Sequence, residues 1–196
     1  MNQGDVAELH YITAIANVPS MLQHGILSHT LAEQLEHDSV AMPEIQQIRE
    51  NKQIPGARSL HEYANLYFDA HNPMLSKCRN RNDEICVLRI ASAVLDQPGV
   101  IVTDRNAASG WARFWPVAAG LGKIDRERLF ARYWTHRDNP YEEMNHKYEK
   151  CAEMLMLDRV EARFIVGAYV PNQAAQLTFQ RLNAGLAVQI RGDMFF

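Results

Sequence analysis

The chain has 196 residues, of which 47% are hydrophobic and 22% charged, and its formal net charge is −3. This length supports one domain, here residues 1–196, with a real core, and it is too short for two large domains. The slightly acidic charge excludes a uniformly basic nucleic-acid-binding protein, although a local basic groove is compatible with it.

The cysteines and the start of the chain bear on the compartment. Cys78, Cys86 and Cys151 are odd in number and form no CxxC pair, which argues against a disulfide framework or a zinc knuckle and favours a reducing compartment. The opening stretch MNQGDVAELHYI has no basic segment followed by an apolar one, unlike a signal peptide. No run reaches the roughly 18 apolar residues of a membrane span. We therefore expect a cytoplasmic protein without membrane contact.

The first half of the chain is predicted to mix strands with short helices. Residues 9–15 are rich in aromatic and β-branched side chains and predict a strand. A short helix follows, with Asn17 as its cap, Pro19 in its first turn and its end near Gly25. Listed in chain order, the next predicted elements are a helix at 42–52 within the polar segment 29–59, and strands at 60–68, 84–92 and 99–104.

The second half is predicted to contain most of the remaining strands. Residues 105–115 indicate a loop that leads into a helix, residues 125–134 a helix, and residues 135–150 a polar stretch without apolar periodicity. Strands at 153–157, 163–170 and 186–190 follow, with a helix at 171–185 between the last two. About six strands and four or five short helices, with the helices early and the strands late, indicate an α+β fold rather than regular βαβ winding.

Several common site motifs are absent from the sequence. No GxGxxG follows a strand and no GxxxxGK[ST] occurs, so neither a Rossmann fold nor a P-loop is expected to hold a nucleotide. None of the eight histidines shows HExxH spacing or a cysteine partner, so no metal site is expected. There is no GxSxG around a serine, and no catalytic-cysteine signature.

Three features remain as candidates for chemistry. Residues 60–75 gather Tyr63, Tyr67, Phe68 and His71, which are either core aromatics or a flat wall for a heterocyclic ligand. Arg49 is either solvated or a pyrophosphate ligand. Glu153 opens an apolar strand, where a carboxylate is costly unless it faces a cleft or has a partner.

Seven stretches, taken in order, resemble the DarT family, the DNA ADP-ribosyltransferase toxins of bacterial toxin–antitoxin systems. They are HYITAIANVPSMLQHGILS, SVAMPEIQQIREN, LHEYANLYFDAHNPML, VIVTDRNAASGWARF, ARYW, KCAEMLML and VQIRGDMFF. The resemblance spans nearly the whole chain. It implies an ADP-ribosyltransferase fold, a split mixed sheet around an NAD cleft, and transfer of ADP-ribose from NAD to a base in single-stranded DNA.

The resemblance also assigns roles to residues. It places the catalytic glutamate at Glu153 and an assisting arginine, which also contacts NAD, at Arg49. Listed by role, the implied NAD-binding residues are Tyr11, Ile12, Thr13, Asn17, Tyr67 and Phe68, and the implied DNA-contacting residues are His71, Arg105, Arg113, Tyr133 and His146. The family's substrate-recognition loop falls on residues 135–150, and Lys77, Arg79, Arg81, Arg105 and Arg113 are candidates for a basic patch.

Two departures from the family pattern concern the target base. The usual histidine of the first strand is Tyr11 here, with His10 one residue earlier, and neighbours on a strand point to opposite faces. The altered block HEYANLYF favours guanine slightly over thymine, and both stay open, as does transfer to RNA or protein. The resemblance further implies a cognate antitoxin with ADP-ribosyl hydrolase activity.

Overall fold

The computed structural model describes residues 1–196 and contains ten strands and eight α-helices. The strands are β1 Glu8–Ala14, β2 Ile26–Leu27, β3 Tyr63–Tyr67, β4 Ile85–Ala91, β5 Ile101–Thr103, β6 Phe114–Pro116, β7 Glu153–Leu157, β8 Arg159–Val160, β9 Ile165–Val170 and β10 Val188–Ile190. The helices are α1 Val18–His24, α2 His29–Ala32, α3 Pro43–Glu50, α4 Pro73–Lys77, α5 Val117–Gly120, α6 Arg126–Leu129, α7 Pro140–Glu149 and α8 Gln173–Gln180. No helix is long and apolar enough to cross a membrane.

Eight strands form one mixed sheet in the order β10-β9-β4-β1-β3-β7-β5-β6, and β2 pairs with β8 in a separate ribbon. The β10–β9 pair is parallel and the other pairs are antiparallel. Between β1 and β3 only His10 and Tyr67 are in register. A continuous antiparallel ladder would set Ile12 opposite Asn65, so the two strands part beyond the first pair and split the sheet.

The early and central strands match the prediction closely. The strands predicted at 9–15, 84–92, 99–104 and 153–157 are β1, β4, β5 and β7, and the helix predicted at 42–52 is α3. The helix after β1 ends at Gly25, whose φ of 82° lies in the left-handed region that favours glycine. Asn17, however, makes no capping hydrogen bond with its side chain.

Two predictions in the second half were wrong in their elements. Residues 105–115 lead into an edge strand, β6, because Phe114 and Trp115 pair with β5 and the chain turns helical only after Pro116. The helix predicted at 125–134 stops at Leu129. Beyond Leu129 the chain leaves helical geometry. The carbonyls of Leu129 and Ala131 instead accept hydrogen bonds from the ammonium of Lys150 at 2.7 and 3.0 Å.

The polar stretch 135–150 contains α7, the longest helix of the fold. Its first turn is capped by Asn139, whose side chain accepts from the Glu142 amide at 3.1 Å, and Pro140 follows at the first helical position. Ion pairs hold it instead of an apolar stripe. They join Arg128 to Glu142 and Glu149, and Lys147 to Glu143.

A partly buried carboxylate ties β1, β4 and β9 together. Glu8 of β1 accepts from Tyr169 Oη at 2.8 Å and Arg89 Nε at 2.8 Å, and lies 3.3 Å from His10 Nε2. Burial raises the pKa of Glu8, but hydrogen bonds from His10, Tyr169 and Arg89 outweigh it and lower the pKa to about 2. His10 therefore faces this cluster and not the side of Tyr11.

Glu8→Gln tests this cluster through its pH dependence. Because the folded-state pKa of Glu8 is lowered from 4.5 to about 2, its contribution to stability is complete above pH 4.5 and is lost as the pH falls towards 2. The difference in unfolding free energy between wild type and Glu8→Gln should therefore shrink over this range. Urea titrations at stepped pH measure it, and a difference that stays constant would contradict the assignment.

The turn after α1 gives a second stability prediction. A Cβ at Gly25 would lie 2.4 Å from the Val160 carbonyl oxygen, whereas Gly56, with φ of 71°, has nothing within 4 Å. Gly56→Ala should cost about 1 kcal/mol of left-handed strain, and Gly25→Ala at least about 2 kcal/mol more because backbone must move. Urea unfolding of both variants measures the difference, and equal losses would show that the close approach is absent.

Candidate active site

A cavity of about 300 Å³ opens where β1 and β3 part. Small-molecule sites in proteins begin at about this volume. Its wall carries side chains from both strands, from α3 and from the irregular segment before α3; those used below are Tyr11, Ile12, Thr13, Asn17, Gln46, Arg49 and Tyr67. The split in the sheet therefore forms a ligand-sized cleft between two rigid strands.

A buried ion pair lies at this cavity. Arg49 Nη1 lies 3.0 Å from Glu153 Oε2 and 3.4 Å from Oε1. The Glu153 side chain is 0% exposed and that of Arg49 7%, and Arg49 is the member of the pair that lines the cavity. The amide of Ala107 donates to Glu153 Oε1 at 2.9 Å. The carboxylate is thus buried and accepts hydrogen bonds from one guanidinium and one backbone amide.

Local structure fixes both members of the pair. Glu153 is the first residue of β7 and lies in register with Tyr67 of β3. Its amide donates to Thr103 Oγ1 at 2.9 Å, which ties β7 to the end of β5. Arg49 stands in the last turn of α3, where a positive charge is favoured by the helix dipole. The pair therefore joins residues that are 104 positions apart in the chain.

The negative charge of Glu153 shapes its neighbours. Burial raises the pKa of the Tyr67 hydroxyl well above 10, and Glu153 raises it further. Burial also raises the pKa of the Cys151 thiol to about 12, with Glu153 adding to the shift. Both groups therefore stay neutral near pH 7. Cys151 is not a thiolate nucleophile, and Tyr67 presents an uncharged ring and hydroxyl to the cavity.

Asn17 secures the irregular segment that covers the cavity. Its Nδ2 donates to the Asp38 carbonyl at 2.8 Å, and its Oδ1 accepts from the Asp38 amide at 2.9 Å. The same Nδ2 donates to Thr13 Oγ1 at 3.2 Å, and the Asp38 carboxylate pairs with Arg81. This explains why Asn17 does not cap α1: its amide group is used in holding Asp38 against β1.

The structure places most, but not all, of the implied NAD-binding residues at the cavity. Tyr11, Ile12, Thr13, Asn17 and Tyr67 line it, as does Arg49. Phe68 does not: it is 2% exposed and belongs to the main core cluster with Leu66 and Ala64. The reason is strand alternation, since Tyr67 and Phe68 point to opposite faces of the sheet.

Two of the residues expected to contact DNA are hydrogen-bonded within the fold. His71 Nδ1 lies 2.8 Å from the Met194 carbonyl and its ring stacks on Phe196 with centroids 4.3 Å apart. His146 is 5% exposed, and its ring nitrogens lie 2.9 Å from His136 Nε2 and 2.9 Å from the Arg128 carbonyl. The ring nitrogens of both histidines therefore already have partners within the fold, and their DNA-contacting role stays a prediction.

The remaining candidates for DNA contact differ in whether their side chains are already bound to other residues. Arg105 is engaged with Asp104, Asn145 and Glu149. Arg113 is exposed and Tyr133 is 76% exposed. Within the expected basic patch, Arg81 is held by Asp38 and Glu84, Arg79 donates to the Ser76 carbonyl, and Lys77 lies at the cavity. The expected patch is therefore only partly available.

Sequence reasoning missed three features of the structure. Two are exposed aromatics, Trp111 at 80% and Tyr141 at 82%, which lie in segments that were predicted as the start of a helix and a polar stretch. The third is the Ala107 amide. A backbone N–H is present in every residue except proline, so no sequence motif predicts which amide will bind the carboxylate. No group of three or more potential metal ligands occurs.

Solved structures share this fold. The chain superimposes on Thermosipho africanus DarTG in complex with ADP-ribose with a TM-score of 0.83 and 27% identity, covering 96% of this chain and 51% of that one. It superimposes on Thermus sp. 2.9 DarT in complex with ADP-ribosylated ssDNA with a TM-score of 0.83 and 23% identity over 100% and 99% of the two chains. The complex of that protein with NAD+ gives 0.74 and 23% over 98% of each. The expected α+β, ADP-ribosyltransferase-like fold is confirmed.

Sequence comparison narrows the class to one family. Residues 10–196 match the family model described as "ssDNA thymidine ADP-ribosyltransferase, DarT". The "DNA ADP-ribosyl transferase-DNA ADP-ribosyl glycohydrolase fusion protein" of Thermosipho africanus (strain H17ap60334) is 30% identical over 177 residues, which are 83% of this chain and 42% of that protein. The chain belongs to the DarT family and spans less than half the length of this fusion relative.

Breaking the buried ion pair should cost more than removing it. Arg49→Met leaves the Glu153 carboxylate buried with only the Ala107 amide, and should lower the unfolding free energy by about 3 kcal/mol. The double variant Arg49→Met/Glu153→Gln, which buries no charge, should recover most of that loss. Urea unfolding of the two single variants and the double variant gives the coupling energy. Additive losses would mean that the two groups do not interact.

Proposed function

We propose that the chain transfers ADP-ribose from NAD to a base in single-stranded DNA and releases nicotinamide. The observation that carries this proposal is the Arg49–Glu153 pair at the cavity in the split of the sheet. A buried carboxylate beside a cavity of ligand size is the group that this reaction needs, because positive charge develops on the ribose as its bond to nicotinamide breaks. Membership of the DarT family supports the same reaction.

The residues of the cavity fit NAD as the donor substrate. Gln46 lines the cavity, and its Oε1 is buried without any hydrogen-bond partner, so it offers an acceptor to a ligand donor. Tyr11 and Tyr67 present neutral aromatic side chains suited to a flat heterocycle. Thermus sp. 2.9 DarT, of the same fold, was solved with NAD+. NAD would supply the ADP-ribosyl group and nicotinamide as the leaving group.

Arg49 and Glu153 would have different roles in the reaction. Arg49 lines the cavity and covers the fully buried carboxylate, so we infer that Arg49 shifts when substrate enters and then binds phosphate or the base. Glu153 would hold a ribose hydroxyl and stabilise the developing positive charge. It would also take the proton that the attacking base nitrogen loses as its bond to C1′ forms. The Ala107 amide would keep the carboxylate in place.

We propose thymidine as the target base. The matching family model is described as a thymidine ADP-ribosyltransferase, whereas the HEYANLYF block alone favours guanine. The ring nitrogen N3 of thymidine carries a hydrogen that Glu153 can remove as N3 attacks. Guanine also carries nitrogen-bound hydrogens, so the choice of thymidine rests on the family model. Guanine stays the second candidate, and the experiment below separates the two.

Single-stranded DNA would be recognised by side chains that are exposed on the surface. Tyr133 and the missed Trp111 and Tyr141 are 76–82% exposed, and exposed aromatic faces stack unpaired bases. Arg113 is exposed as well and suits the phosphates. Because the net charge is −3, such local cations must carry the affinity, which should fall as salt rises.

The wider role follows the family resemblance. Residues 1–196 would form a single transferase domain that acts as a toxin, and the modified bases would block DNA replication. The three cysteines are buried and free, which suits the reducing cytoplasm where NAD and DNA meet. The Thermosipho relative is named as a fusion of a transferase and a glycohydrolase, which supports a cognate antitoxin with ADP-ribosyl hydrolase activity as partner.

The test is to incubate the protein with NAD and single-stranded oligonucleotides that each lack one base, and to weigh the products. We expect one ADP-ribose adduct on every oligonucleotide except the thymine-free one. Glu153→Gln should lower the rate at least about 100-fold, while the exposed Glu161→Gln, as the matched control, should not change it.

Each other outcome has a defined meaning. An adduct that is missing only from the guanine-free oligonucleotide would mean that guanine, and not thymine, is the target base. The proposed reaction would otherwise be unchanged. NAD consumption without any DNA adduct would redirect the proposal to RNA or protein, which a panel of RNA oligonucleotides then tests. No adduct and no NAD consumption would refute the proposed function.

A further inference from the structure

We propose that Lys52 is a positioning residue for Glu153: it fastens the loop that carries the Ala107 amide to the end of the helix that carries Arg49. The inference rests on the proposed function for its catalytic consequence, although its structural part stands alone. Nothing in the sequence patterns singles out Lys52, and it does not line the cavity. It therefore acts through the two groups that touch the carboxylate.

Lys52 lies two residues beyond the end of α3. Its amide donates to the Arg49 carbonyl at 3.2 Å, and its own carbonyl accepts from the Leu60 amide at 2.8 Å. The backbone of Lys52 is thus fixed to the last turn of α3 on one side and to the approach of β3 on the other. Its side chain leaves this anchored point and crosses to another segment.

The side chain of Lys52 ends on the loop between β5 and β6. Its Nζ donates to the Ser109 carbonyl and lies 5.5 Å from the centroid of the Phe114 ring, within the range of a cation–π contact. Residues Ala107 and Ser109 are 0% and 5% exposed. The backbone of Lys52 is fixed at one end of the side chain, and the ammonium is bound at the other. The side chain is therefore a tether and not a solvated surface charge.

The tethered loop is the one that holds the carboxylate. The Ala107 amide, two residues before Ser109, donates to Glu153 Oε1. From the other side Arg49, three residues before Lys52, donates to Glu153 Oε2. Lys52 therefore closes a ring of contacts that runs from Arg49 to Glu153, to Ala107, to Ser109 and back to α3. Both donors to the carboxylate are kept in register by this one side chain.

The electrostatics agree with this geometry. Burial lowers the pKa of Lys52, and the charge of Arg49 lowers it too, whereas the charge of Glu153 raises it. The ammonium is thus close enough to sense both members of the pair. Its attraction to Glu153 outweighs its repulsion by Arg49. Removing the charge should therefore loosen the ring of contacts.

Two variants and a matched control test the inference. Lys52→Met keeps the length and the apolar stem but loses the donor, Lys52→Arg keeps a donor and a cation, and Lys123→Met removes an exposed lysine elsewhere. With thymine-containing oligonucleotide in excess, Lys52→Met should lower kcat by about 10- to 100-fold, because small misplacements of a catalytic group have effects of this size. Its KM for NAD and its Tm should change little. Lys52→Arg should restore most of kcat.

Amide hydrogen exchange tests the structural part without any activity. The Ala107–Ser109 amides should exchange at least about tenfold faster in Lys52→Met than in wild type or Lys123→Met, because the loop opens more often. Unchanged exchange at these amides, or a kcat within twofold of wild type, would overturn the inference. If wild type itself transfers nothing, the proposed function fails, and the exchange rates still decide whether Lys52 tethers the loop.

Discussion

The buried ion pair between Arg49 and Glu153 is the constraint on which the site depends. A carboxylate that is fully removed from water is tolerated only with partners, and here the partners come from α3 and from the backbone of the β5–β6 loop. Three segments must therefore meet at one point before the charge can be buried. This requirement explains why a polar, irregular region ends in a short helix whose last turn carries the only guanidinium on the carboxylate.

The separation of β1 and β3 forms the cavity beside which the ion pair lies. After His10 and Tyr67 the two strands separate, and the side chains that would have packed across a closed ladder line a cavity. Asn17 then holds Asp38 over this opening through both of its amide atoms. The sheet thus supplies rigid walls, and a short loop segment, secured by one amide side chain, supplies the cover.

Much of this organisation could be read from the sequence where local patterns are strong. Runs rich in β-branched residues identify β1 and β4, and an apolar run identifies β7. A carboxylate at the start of that apolar run marks Glu153 as unusual. What could not be read depends on distant partners. The chain from Leu129 to Ala131 leaves helical geometry because its carbonyls bind Lys150, and α7 is held by ion pairs with α6 that no periodicity displays.

The candidate site also combines features that the sequence indicates with features that depend on distant partners. Tyr11, Asn17 and Tyr67, which the resemblance implied as NAD-binding residues, line the cavity. The resemblance could not distinguish Tyr67 from Phe68, because the alternation of side chains along a strand decides which of two neighbours faces the cavity. His71 and His146 matched family positions that looked suited to DNA, yet backbone carbonyls of other segments occupy their ring nitrogens. Contacts of this kind depend on tertiary structure and leave no local signal.

The most direct test of the central claim is a crystal structure of the Glu153→Gln variant with NAD. The account predicts that NAD lies in the opening between β1 and β3, with the bond between its ribose and nicotinamide next to position 153 and with Arg49 displaced from its position in the free protein. NAD bound elsewhere, or bound with Arg49 still covering position 153 and no contact between that position and the ribose, would contradict it.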